Sequence, residues 1–93
     1  MKSNLRVQRE HDLDEVECRA MAEDLLNKLV GHFGGGFNQD GDDYLYKHTS
    51  GIKAKVQPKQ GELLVDVKLG LMTRALGPQI EREMNRVLDE HLS

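Results

Sequence analysis

The chain has 93 residues, 31% of them charged and 38% hydrophobic, with a net charge of −3. That balance fits one folded domain spanning residues 1–93 and excludes a disordered tail, and the negative charge argues against a general polyanion binder. A lone cysteine, Cys18, excludes an internal disulfide and fits a reducing compartment. With no apolar leader at the start and no membrane-length stretch, the cytoplasm is the expected location.

A core this small leaves a stability margin of only ~3–5 kcal/mol, so a homodimer is a reasonable way to bury more surface. Leu5 and Val7 alternate with Arg6 and Gln8, which predicts a first strand over 4–10. Asp12 and Glu15 have capping-box spacing, and a helix over 12–33 follows. Its apolar stripe is Cys18, Ala22, Leu25, Leu26, Leu29 and Phe33. Gly34-Gly35-Gly36 ends it.

Phe37–Gln39 could begin a strand, with Asp40-Gly41-Asp42 as turn or bulge. Firmer strands are expected over 43–48, 52–57 and 63–69, separated by turns at Thr49-Ser50-Gly51 and Pro58-Lys59-Gln60-Gly61. Whether Tyr44 and Tyr46 or Leu45 faces inward is left open by the alternation. A final helix should begin at Pro78, which suits the first helical position, and bury Ile80, Met84, Val87, Leu88 and either His91 or Leu92. The expected fold is α+β with the order β-α-β-β-β-α: a four-stranded antiparallel sheet carrying both helices on one face.

No catalytic constellation is readable. His11, His32, His48 and His91 lack metal-ligand spacing, so neither a metal nor a cofactor is expected. Cys18 lies on the helix's apolar stripe, where packing is the simpler role. His48 and Ser50 have no orienting acid or oxyanion feature. The three glycines follow a helix and precede a strand, the wrong context for a phosphate loop.

Two surfaces invite an interaction. Leu71, Met72, Arg74 and Leu76 lie between the last strand and the last helix, where Gly70 and Gly77-Pro78 already supply the chain reversal. Apolar residues there can contact a partner or plug the end of the core. Arg6, Lys53, Lys55 and Lys68 should share the open face of the sheet, a nucleic-acid surface if a tyrosine joins them. Glu62 and Asp66 dilute that patch, so the ordinary polar covering of an antiparallel sheet is preferred. A small ligand-binding domain with a pocket between sheet and helices is a third reading.

Three stretches together resemble the polyhydroxyalkanoic acid system family. The first is Leu5-x-Val7-x-Arg9-x-His11-x-Leu13, followed by Arg19-x-x-Ala22-Glu23-x-Leu25. The second is Asp40-Gly41-Asp42 before a short aromatic strand. The third and strongest is Val65-x-Val67-x-Leu69-Gly70-Leu71-Met72, then Leu76-Gly77-Pro78-x-Ile80-Glu81 and Leu88-Asp89-x-x-Leu92. The longer Gly34-Gly35-Gly36 connector and the pair Tyr44 and Tyr46 depart from that pattern. The resemblance implies a small bacterial protein of the storage-polyester system, with no catalytic residues to carry over. The expectation is therefore a non-enzymatic accessory protein that binds a polyester granule surface or a granule-associated protein through the apolar loop.

Overall fold

The computed structural model describes residues 4–49, 51–70 and 73–92. In chain order the elements are β1 (Asn4–Glu10), α1 (Glu15–Phe33), β2 (Gly36–Asp40), β3 (Asp43–Lys47), β4 (Lys53–Lys59), β5 (Glu62–Lys68), a 3₁₀ turn (Arg74–Leu76) and α2 (Gly77–Leu92). The strands form one antiparallel sheet in the order β1-β5-β4-β3-β2. The first strand therefore sits at an edge, beside the last.

The sheet has five strands where four are expected. Gly36–Asp40 is a full strand, and Asp40-Gly41-Asp42 is a tight hairpin turn closing on the Asp40–Asp43 pair. Gly41 makes this possible: at φ 64° it occupies the left-handed region that hairpin turns demand and that side chains resist. At the next turn, β4 runs on through Pro58 to Lys59, leaving only Gln60 and Gly61 to reverse the chain. Pro58 is tolerated because the pairing of β4 with β3 extends only to Val56, beyond which no second ladder requires its missing N–H.

One face of the sheet meets the helices. Val7, Tyr44, Tyr46, Ala54, Val56, Leu63, Val65 and Val67 point into a single core. The two tyrosines thus face inward and Leu45 outward. Each buried hydroxyl finds a partner: Tyr44 donates to Glu23 at 2.7 Å, and Tyr46 donates to the Gly34 carbonyl at the end of α1. The rings are accommodated because each polar tip reaches the helix that the ring packs beneath.

α1 contributes Cys18, Met21, Ala22, Leu25, Leu26 and Leu29 to the core. Its capping box is Asp14 and Glu17, two residues after the expected Asp12 and Glu15. The Leu13 N–H bonds to His11 Nδ1 at 3.2 Å, which satisfies a backbone donor locally and holds this stretch off the helix. α2 buries Gly77, Ile80, Met84, Val87 and Leu88. It begins at Gly77, one residue before the expected Pro78, because the 3₁₀ turn feeds directly into it. Leu92 is half-buried against the core, while His91 turns outward to Asp24 of α1 at 2.9 Å. His32 and Glu83 make a second bridge between the helices at 3.0 Å. Arg9 of β1 ties α2 down through Asn85 and Asp89 at 3.1 and 2.6 Å. No helix among the described residues is long and apolar enough to cross a membrane.

Candidate interaction site

The segment joining β5 to α2 is built on Thr73. That residue is buried, and its hydroxyl accepts from the Gly70 N–H at 2.9 Å and donates to the Gly70 carbonyl at 3.3 Å. The Thr73 N–H also donates to the Gly70 carbonyl, at 3.2 Å, and the Leu76 N–H donates to the Thr73 carbonyl at 2.9 Å. A polar staple thus fixes both stems of the loop. Past it, Arg74 and Ala75 are exposed and Leu76 is half-buried against the core. Leu76 therefore serves packing, at least in part, while Arg74 is available at the surface. Leu71 and Met72, the centre of the expected contact, lie outside the described residues. Gly77 packs closely here: a Cβ on it would lie 3.2 Å from the Leu69 side chain, which would have to shift by a few tenths of an ångström.

The thiol has a histidine beside it. Cys18 Sγ lies 3.3 Å from His11 Nε2 and 3.9 Å from the Lys59 carbonyl. Because His11 Nδ1 accepts the Leu13 N–H, the neutral ring carries its proton on Nε2, aimed at the sulfur. Taking up the thiol proton would make both ring nitrogens donors and break the Leu13 bond. Burial also pushes the Cys18 thiol up from its ordinary value, although Arg19 opposes this. Both effects hold Cys18 as a thiol, the reverse of an activated cysteine. The His11–Cys18 contact was not readable from sequence, since it depends on the loop between β1 and α1. Ser50 lies outside the described residues, and among those described no group of three His, Cys, Asp or Glu side chains could hold a metal ion.

The open face gathers the expected cations. Arg6, Lys53, Lys55 and Lys68 all project from it and are exposed. Lys47 of β3 joins them, a residue that sequence alone did not bring to this face. Arg6 pairs with Asp66 at 3.1 Å, and Lys55 with Asp43 at 3.7 Å. The inward turn of Tyr44 and Tyr46 removes the aromatic platform that base stacking would use. The nucleic-acid reading loses its main support with it.

Fold and surfaces together define a small α+β module: a five-stranded sheet, a helical layer on one side, and a loop stapled at the sheet–helix junction. Comparison with protein families places it further. The chain belongs to the family described as "Putative polyhydroxyalkanoic acid system protein", which matches residues 5–92. Comparison with curated proteins gives no match.

Proposed function

We propose that this protein is a non-enzymatic accessory of the polyhydroxyalkanoate system, working in the cytoplasm at the surface of storage-polyester granules. The observation that carries the reading is membership of the family over residues 5–92. The raised Cys18 thiol agrees with binding rather than with cysteine catalysis. Contact is made through the β5–α2 loop, by Leu71, Met72, Arg74 and Leu76. Burying two or three large apolar side chains contributes ~1.5–3 kcal/mol each, enough for reversible adsorption to a polymer or to a granule-bound protein. Pairing of two chains would double the contact and raise the avidity.

The test is sedimentation of purified protein with isolated polyester granules. Wild-type protein should pellet with the granules. The double change Leu71→Ser with Met72→Ser should leave protein in the supernatant while altering stability by no more than roughly 1 kcal/mol. A double variant that unfolds assigns the loop to the core; one that stays folded and binds equally well assigns contact to another surface.

A further inference from the structure

The register of the sheet lines up one unusual row on its open face. Asn4 pairs with Lys68, Lys68 with Lys53, Lys53 with Lys47, and Lys47 with Gly36. Three lysines on three adjacent strands therefore stand side by side with no acidic residue in the row. Like charges directly opposite each other destabilise a sheet. The neighbouring row avoids this by alternating Arg6, Asp66 and Lys55. Among the described residues no carboxylate pairs with Lys47, Lys53 or Lys68, whereas Arg6 and Lys55 both have acidic partners. Protection of a sheet edge does not account for the row, because β4 and β5 are interior strands. Over the two rows, five cations meet two carboxylates, Asp66 within the rows and Asp43 beside Lys55, a net +3 in a chain whose total is −3.

These lysines line a shallow depression of about 480 Å³ with Leu45 among its walls. We infer that the Lys47–Lys53–Lys68 row is a binding site for a linear phosphate polyanion, an inorganic polyphosphate chain laid across the strands. Neighbouring strands are ~4.8 Å apart, so the row presents three ammonium groups over ~10 Å, a span suited to an extended chain of repeated charge. Lysine binds phosphate as a point charge, without the planar fork that arginine offers to phosphate and carboxylate alike. An acidic peptide would also need an apolar anchor. Leu45 is only half-exposed, and Leu64, the other large apolar residue on this face, is 8% exposed. A single-stranded nucleic acid would find no aromatic ring, because Tyr44, Tyr46 and Phe37 all lie on the helix side. The site is separate from the granule contact and does not depend on it.

Lys53→Glu is the decisive variant because binding and stability should move in opposite directions. It turns the row into Lys-Glu-Lys, so a purely structural row becomes more stable, and the melting temperature should rise. Titration calorimetry with polyphosphate, single-stranded RNA and poly-glutamate, at low and moderate salt, reads the binding. Wild-type protein should bind polyphosphate, more weakly as salt increases. Lys53→Glu should weaken binding at least tenfold, Lys53→Arg should retain most of it, and Arg82→Glu on α2 should leave it unchanged. The inference is overturned if wild-type protein does not bind polyphosphate, or if Lys53→Glu binds equally well. It is also overturned if RNA or poly-glutamate binds as tightly as polyphosphate.

Discussion

Alanine at Gly35 and Gly36, where α1 gives way to β2, and at Gly41, in the β2–β3 hairpin, separates the physical terms that glycine contributes. Gly36 has no positive φ, and a Cβ on it meets nothing within 4 Å. Gly36→Ala should therefore be neutral or stabilise slightly, by up to ~1 kcal/mol through the unfolded chain. Gly41 sits at φ 64° with open space around it, so Gly41→Ala isolates backbone strain, roughly 1–2 kcal/mol. Gly35 carries both terms. It has φ 87°, and its Cβ would lie 2.5 Å from the Lys47 carbonyl oxygen and 3.1 Å from the Tyr46 hydroxyl. The first obstacle is backbone held in the β3 ladder, so relief requires moving the strand and the Tyr46 bond to Gly34. Adding ~1–3 kcal/mol for such a displacement to the strain gives about 2–5 kcal/mol for Gly35→Ala. Urea denaturation followed by circular dichroism would read the series as midpoints at unchanged slope. In a domain of this size each kcal/mol shifts the melting temperature by ~4–8 °C, so the three variants should be well resolved. If Gly35→Ala is no worse than Gly41→Ala, then α1 and β3 do not approach closely at this point and the reasoning fails.

Other outcomes follow from the same packing. Leu29→Ala and Val67→Ala, both on inward faces, should each cost on the order of 1–4 kcal/mol in denaturant titration; a near-zero change at either would place that residue on the wrong face. Tyr46→Phe leaves the Gly34 carbonyl without its hydroxyl donor and should cost about 1–2 kcal/mol, whereas no change would show that water replaces the bond freely. The Glu83 carboxyl is held below its ordinary value, first by its bond to Arg86 and further by the charges of Arg86, His32 and Lys28, against an opposing desolvation effect. Its contribution to stability is therefore present above the unfolded value near 4.5 and lost as pH falls through the lower folded value. The stability gap between wild-type and Glu83→Gln protein should be full at about pH 6 and shrink in more acidic solution, while a gap constant down to about pH 3 would contradict the assignment.

All of the element order but one strand was legible because burial imposes different periods on helices and strands. The stripe Ile80, Met84, Val87 and Leu88 and the alternation Leu63, Val65 and Val67 each admit one reading. β2 was obscured because it is a polar edge strand: Gly36, Asn38, Gln39 and Asp40 are exposed and leave only Phe37 as an apolar mark. The orientation of Tyr44 and Tyr46 depends on whether their hydroxyls find partners, and those partners, Glu23 and the Gly34 carbonyl, come from a different element. The cap slid from Asp12 to Asp14 because two Asp-x-x-Glu patterns lie two residues apart and the His11–Leu13 bond selects the second. On the candidate surfaces, period-two alternation placed Arg6, Lys53, Lys55 and Lys68 together correctly. Their alignment with Lys47 is a matter of register, fixed by the turns at Gly51 and Gly61 and invisible in single-strand patterning. The Thr73 staple was hidden for a similar reason, since a threonine inside an apolar loop reads as a spacer until its bonds to Gly70 are seen.

The central claim, attachment to storage granules, is tested most directly in polyester-accumulating cells. Lysate separated on a density gradient should carry the native protein with the polymer layer, and that signal should fall when Leu71 and Met72 are both changed to serine. Recovery of all the wild-type protein away from the polymer layer, under conditions where granules are abundant and intact, would contradict the account.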